Sequence, residues 1–230
     1  MMRILYALLL IPSAAFAQDQ VSLPDGCTGL VTVQMKSCTV SHHFTCEADP
    51  DGLRRRVDLD DGGLTYTGAV DAETQWIESF HFRSDHSERL EESPTDPASF
   101  TLLTETGADT YDFRTLSDEV GTTRYVGADT LTGETVVIDG QDLLRTTYRI
   151  RAVNEAGEEL WSSEGREFIH PEWRVFLAGE GTYRMPDGET FEVDDTPVDF
   201  IFPGERGFLS PNPVYGCNAV LSSFSPDSGQ

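Results

Sequence analysis

Lysine is nearly missing from this chain. Among 230 residues Lys36 is the only one, and 16 basic residues face 40 acidic ones. A formal charge of −24 repels phosphate backbones and anionic headgroups, which argues against nucleic-acid and membrane-surface partners. The carboxylates are spread along the chain rather than blocked, so they read as a solvated surface rather than a recognition tail. Long apolar runs are missing too. After the first residues nothing approaches the roughly 20 apolar positions of a membrane helix, so no membrane insertion is expected. Catalytic signatures are also lacking: the chain holds no G-x-S-x-G elbow, no H-E-x-x-H, no C-x-x-C and no Walker loop.

The one apolar run that exists, Ile4 to Ile11, follows Arg3 and precedes Ala15-Phe16-Ala17. A short basic region, an apolar core and a small-x-small site form an export signal cleaved after Ala17. No cysteine stands at that site to carry a lipid, so a periplasmic or secreted protein is expected. Residues 18–29 then form an irregular lead-in, 30–224 one β-rich domain and 225–230 a fraying tail. The composition, 38% hydrophobic and 10% aromatic, supplies a core for such a domain.

Four cysteines, Cys27, Cys38, Cys46 and Cys217, read as two disulfides in an oxidising compartment. If Lys36-Ser37 is a tight turn, Met35 faces Cys38, Val33 faces Val40, and Cys27 lands opposite Cys46. Pairs Cys27–Cys46 and Cys38–Cys217 follow. On that hairpin the neighbours His42 and His43 point to opposite faces and cannot share a metal ion. His42 reads as partly buried and His43 as solvated.

Much of the chain is strand-like. From Leu143 to Val153, Tyr148, Ile150 and Ala152 alternate with Arg149 and Arg151, the period of a half-buried strand. It lies in a meander from Thr122 to Phe202, with Trp173–Leu177 apolar on both faces and so central in the sheet. Turn chemistry separates the segments, notably Pro50-Asp51-Gly52 and Pro186-Asp187-Gly188. The only good helix candidate has Asp96 as cap, Pro97 at its first position, an apolar face from Phe100, Leu102 and Leu103, and Gly107 as its end. About ten strands and one short helix predict an all-β fold: a single antiparallel barrel, open half-barrel or sandwich, stapled by disulfides. In outline this is similar to periplasmic carriers that hold acyl chains in an open barrel, a likeness of fold that no motif supports residue by residue.

Chemistry-bearing residues are few. Glu47-x-Asp49-x-Asp51-Gly52 with Asp58 imitates a calcium loop. Pro50 inside it, the run Arg54-Arg55-Arg56 and the lack of flanking helices make it a hairpin turn instead. His81 and His86, with Asp85 and Glu88, form the other His–carboxylate cluster, and no nucleophile or metal partner is announced for it. No catalytic residue, cofactor or metal is therefore assigned. The aromatics offer the one route to a ligand. If the sheet curves around an unfilled space, Trp76, Phe80, Phe82, Trp161, Trp173, Phe176, Phe200 and Phe202 would line an apolar pocket.

The leading expectation is thus a non-enzymatic exported protein that binds an apolar or lipid-like molecule, or an envelope protein, through a curved sheet. A carboxylate- or His-dependent hydrolase and a structural or assembly protein of the envelope are the alternatives.

Overall fold

The computed structural model describes residues 20–217. The expected export signal over 1–17, the tail over 225–230 and residues 218–224 lie outside the described residues.

Strand follows strand along the chain: β1 (Cys27–Met35), β2 (Thr39–Cys46), β3 (Arg54–Asp60), β4 (Gly63–Val70), β5 (Trp76–His81) and β6 (His86–Leu90). The single helix among the described residues, α1 (Phe100–Thr106), comes next. The second half holds β7 (Ala108–Ser117), β8 (Gly121–Ile138), β9 (Gln141–Val153), β10 (Glu159–His170), β11 (Val175–Arg184), β12 (Thr190–Asp194) and β13 (Pro197–Ile201). All thirteen form one antiparallel sheet in sequence order from β1 to β12, with β13 paired to the free side of β1. The hydrogen-bonded ladder is not closed.

Its two edges nevertheless come together. β12 and β13 lie at opposite ends of the sheet, yet only Asp195 and Thr196 join them. Three Cα–Cα steps span at most about 11 Å, so the sheet must curl until its edges nearly meet. The two linking residues stitch the gap: Asp195 N–H donates to Gly179 O (2.8 Å), and Lys36 N–H donates to Thr196 O (3.1 Å). Seven of the strand pairings contain a register shift, and each such bulge adds local twist and bend.

Glycines let the coil tighten where aromatic rings lie across the backbone. A Cβ on Gly127 would strike the Tyr111 ring and Arg149 O, and one on Gly165 would overlap Glu180 O and Gly181 Cα. Tyr148 rests against the same Gly165. Because the obstacles at Gly165 are ladder backbone, Gly165→Ala is expected to cost about 2–3 kcal/mol. A melting temperature within about 1 °C of the parent, in a protein where 1 kcal/mol shifts it by about 2–4 °C, would contradict this account.

The first hairpin corrects the expected register in an instructive way. Its loop is Lys36-Ser37-Cys38, with Cys38 left-handed (φ 58°), so Met35 faces Thr39 and Gln34 faces Val40. A bulge between Gly29 and Val31 then removes the one-residue slip, and Cys27 does face Cys46. Both disulfides form, Cys27–Cys46 and Cys38–Cys217. They point to an oxidising, extracellular or periplasmic environment.

The second bridge holds residues 203–217 across β1 and β2. Leu209 N–H donates to Thr32 Oγ1 (2.9 Å), Val214 N–H donates to Gln34 Oε1 (3.0 Å), and Gln34 Nε2 donates to Asn212 O (3.2 Å). Covered on that side and enclosed on the other, β2 buries both histidines, His42 at 0% and His43 at 7% exposure. The expectation of a solvated His43 therefore fails, because the hairpin has no free face. Burial lowers the two imidazoles to about 4 and about 3.

The helix starts later than expected. Ser99, not Asp96, is the N-cap, accepting from Leu102 N–H, and Gly107 (φ 89°) ends it. Asp96 bridges to Asp112 instead. Phe100 and Leu103 bury against Ile169, with Leu131, Leu144 and Phe176 around them. Trp173 is likewise not in a strand: it sits in the turn before β11, stacked on His170 at 3.6 Å.

Candidate functional site

Inside the curl lies a cavity of about 550 Å³. The strand period places its walls. On β7 Tyr111, Phe113 and Thr115 alternate inward, and they face Gly127, Tyr125 and Thr123 of β8. Asp129 continues that row opposite Tyr148, and Trp161 continues the next row opposite Ala152. Arg54, Arg56 and Asp58 of β3 share one face and supply the opposite wall with Tyr66.

Three of the aromatics expected to line a pocket do so: Trp76, Trp161 and Phe176. Trp76 stays 43% exposed at the mouth while its ring meets Phe113 and Tyr125 edge-on. Trp173, Phe200 and Phe202 instead join the solid cluster of Val31, Val33, Leu143, Phe168 and Leu177. Phe80 and Phe82 pack on each other away from the cavity, Phe80 paired with Thr67 while its neighbour His81 pairs with Tyr66. Tyr111, Tyr125, Tyr148 and Tyr183 line the cavity as well, and of these only Tyr148 stands out in the sequence, on the apolar face of the Leu143–Val153 strand. For Tyr111 the signal is the period of two in Tyr111-x-Phe113-x-Thr115.

The polar wall groups largely satisfy one another. Ser41 Oγ donates to Asp58 (2.5 Å), and Arg56 pairs with Asp58 (3.3 Å) while its guanidinium lies 4.7 Å over the Tyr66 ring. Arg56 Nε has no hydrogen-bond partner among the described residues. Burial would push the Glu88 carboxyl up. Hydrogen bonds from His81, Thr115 and Tyr125 outweigh it and hold Glu88 at about 2. Asp129 of β8 and Glu167 of β10 both line the lumen, and burial raises both, Asp129 to about 7. Burial also raises the phenols of Tyr111, Tyr125 and Tyr183, so they remain neutral donors.

Ser79, His81 and Glu88 meet on this wall, a trio that invites comparison with a catalytic triad. Ser79 Oγ and Glu88 Oε2 both lie 3.3 Å from the same atom, His81 Nε2. A triad needs the acid on the other ring nitrogen, so this histidine cannot pass a proton from serine while the carboxylate orients it.

The calcium-like stretch does not converge. Asp49 is held by Arg55 through two hydrogen bonds (2.7 and 2.8 Å), and Asp58 points into the lumen. Gly52 takes the left-handed turn conformation (φ 82°). Comparison with known proteins finds no family model, curated protein or solved structure that matches the chain. No helix among the described residues is long and apolar enough to cross a membrane.

Proposed function

We propose that this protein is an exported, non-enzymatic carrier or receptor that takes a small amphipathic molecule into the lumen of its curled sheet. The observation behind this reading is the cavity itself, walled by Trp76, Tyr111, Phe113, Tyr125 and Trp161 with hydrogen-bonding groups set among the rings. The wall chemistry narrows the ligand class. A plain acyl chain would lie against Arg54, Arg56, Asp58, Asp129 and Glu167 and strip the water from their remaining polar atoms, which is costly. A ring-shaped body stacked on the aromatics, with an acceptor set against the Arg54 and Arg56 guanidinium groups, suits these walls better.

The assembly-protein alternative draws little support, since both edge strands, β12 and β13, are only five residues long. The carrier reading is tested with 1-anilinonaphthalene-8-sulfonate, which joins an aromatic body to an anion. Saturable binding of one molecule per chain is expected, weakened about tenfold by Trp161→Ala and also by Arg56→Gln. Binding that never saturates, or that ignores both lumen substitutions, would count against the lumen as the site.

A further inference from the structure

We infer that His81, His86 and Glu88 form a binding site for a divalent transition ion of the zinc type, independent of any organic ligand in the lumen. One donor atom from each residue lies within 4.8 Å of the others. They converge because β5 and β6 make a tight hairpin in which His81 pairs directly with His86, and Ser79 with Glu88. All three side chains therefore project from one face of the sheet. Donors bound at about 2.0–2.1 Å around a tetrahedral zinc stand about 3.3 Å apart. His81 Nε2 and Glu88 Oε2 are already at 3.3 Å. The two imidazoles are stacked, 4.5 Å between centroids and 7° between planes. Because an ion lies in the plane of each ring that binds it, His86, which is half-buried, must turn out of this stack to bring its Nε2 to the same point.

What surrounds these donors fits a metal better than any other use of the cluster. Ser84 Oγ hydrogen-bonds His86 Nδ1 (2.9 Å), which occupies that nitrogen and leaves Nε2 for an ion. Thr115 Oγ1 (2.7 Å) and the Tyr125 hydroxyl (3.1 Å) both donate to Glu88 Oε1, which turns Oε2 toward His81. Holding the far atom of each ligand is how metal sites orient their donors. Two imidazoles and one carboxylate favour zinc-type ions over calcium or magnesium, which prefer oxygen throughout. Three protein donors leave one position for water, on the cavity side where His81 and Glu88 stand.

The test is calorimetric titration of tag-free, EDTA-treated protein with Zn²⁺, with the stoichiometry read by native mass spectrometry. One zinc per chain is expected, unaffected by millimolar Ca²⁺ or Mg²⁺. His86→Ala and Glu88→Gln should each weaken binding at least tenfold, and Ser84→Ala about tenfold through the loss of orientation. Glu88 also braces the interior, so the deciding variant is His86→Ala, whose fold is checked by circular dichroism. Folded parent protein that takes up no zinc, or a His86→Ala variant that binds it as tightly as the parent, overturns the assignment.

Discussion

Replacing Cys38 and Cys217 together by serine is expected to cost about 5 kcal/mol of stability, against about 3 kcal/mol for Cys27 and Cys46. The difference comes from chain entropy: the first bridge spans 179 residues of sequence and the second only 19. The longer loop removes more freedom from the unfolded chain. The native contacts act in the same direction. Without the bridge nothing covalent holds residues 203–217 over β1 and β2, and Thr32 and Gln34, now 0% and 2% exposed, would lose their cover. Urea unfolding of the two double variants gives the ordering. Amide exchange at Leu209 and Val214 should rise steeply in the Cys38/Cys217 variant, since both amides donate into that face. If the short-loop pair proved the more costly to remove, or if those amides kept their protection, the strap would not be anchored as described here.

How far the sequence foretold this molecule depended on parity. The run from Leu143 to Val153 was legible because one face is apolar and the other carries arginine: Ile150 and Ala152 are buried, Arg149 and Arg151 exposed. On β5 that contrast disappears. Aromatic or imidazole rings occupy both faces at Phe80, His81 and Phe82, so the sequence cannot say which side faces the lumen, and the phenylalanines turned out to face away. The cysteine pairing came out as expected although the local register did not, because the left-handed Cys38 and the bulge at Gly29 shift the strands in opposite senses. Neither carries a composition signal. The polar half of the lumen was hidden for another reason. With 40 acidic residues, nothing in the spacing marks Glu88, Asp129 and Glu167 as the ones that turn inward. Only the strand partners do that: Asp129 stands opposite Tyr148, and Glu167 opposite the fully buried Thr146.

Those inward carboxylates should give the protein an unusual pH profile. Burial is the main cause that raises Asp129, to about 7, and the negative charge of Asp109 on the adjoining strand adds to it. Burial and the charge of Asp129 push Glu167 well above the ordinary range. Tyr111 and Tyr148 stand beside the pair as neutral phenols. A carboxyl whose folded pKa lies above its unfolded value of about 4 takes up a proton on folding. Its contribution to stability is complete below about pH 4 and is lost as pH rises through about 7. Glu88, held at about 2, acts in the opposite sense: its contribution is present above about pH 4 and is lost as pH falls toward 2. His42 and His43, lowered to about 4 and about 3, oppose the raised carboxyls, because their contribution is present above about pH 6.5 and is lost as pH falls through about 4 and 3. The carboxyl contribution is therefore read from the difference between the parent and a lumen variant, in which the histidine contribution cancels. Glu167→Gln keeps a hydrogen-bonding group beside Asp129 and removes the second negative charge. It should therefore match the parent at pH 4 and exceed it at pH 8 by on the order of 2 kcal/mol. Urea midpoints measured from pH 3 to 9 decide the matter. Parallel curves for parent and variant would mean that Glu167 titrates in the ordinary carboxylate range, and that the lumen presents one more negative charge to any ligand.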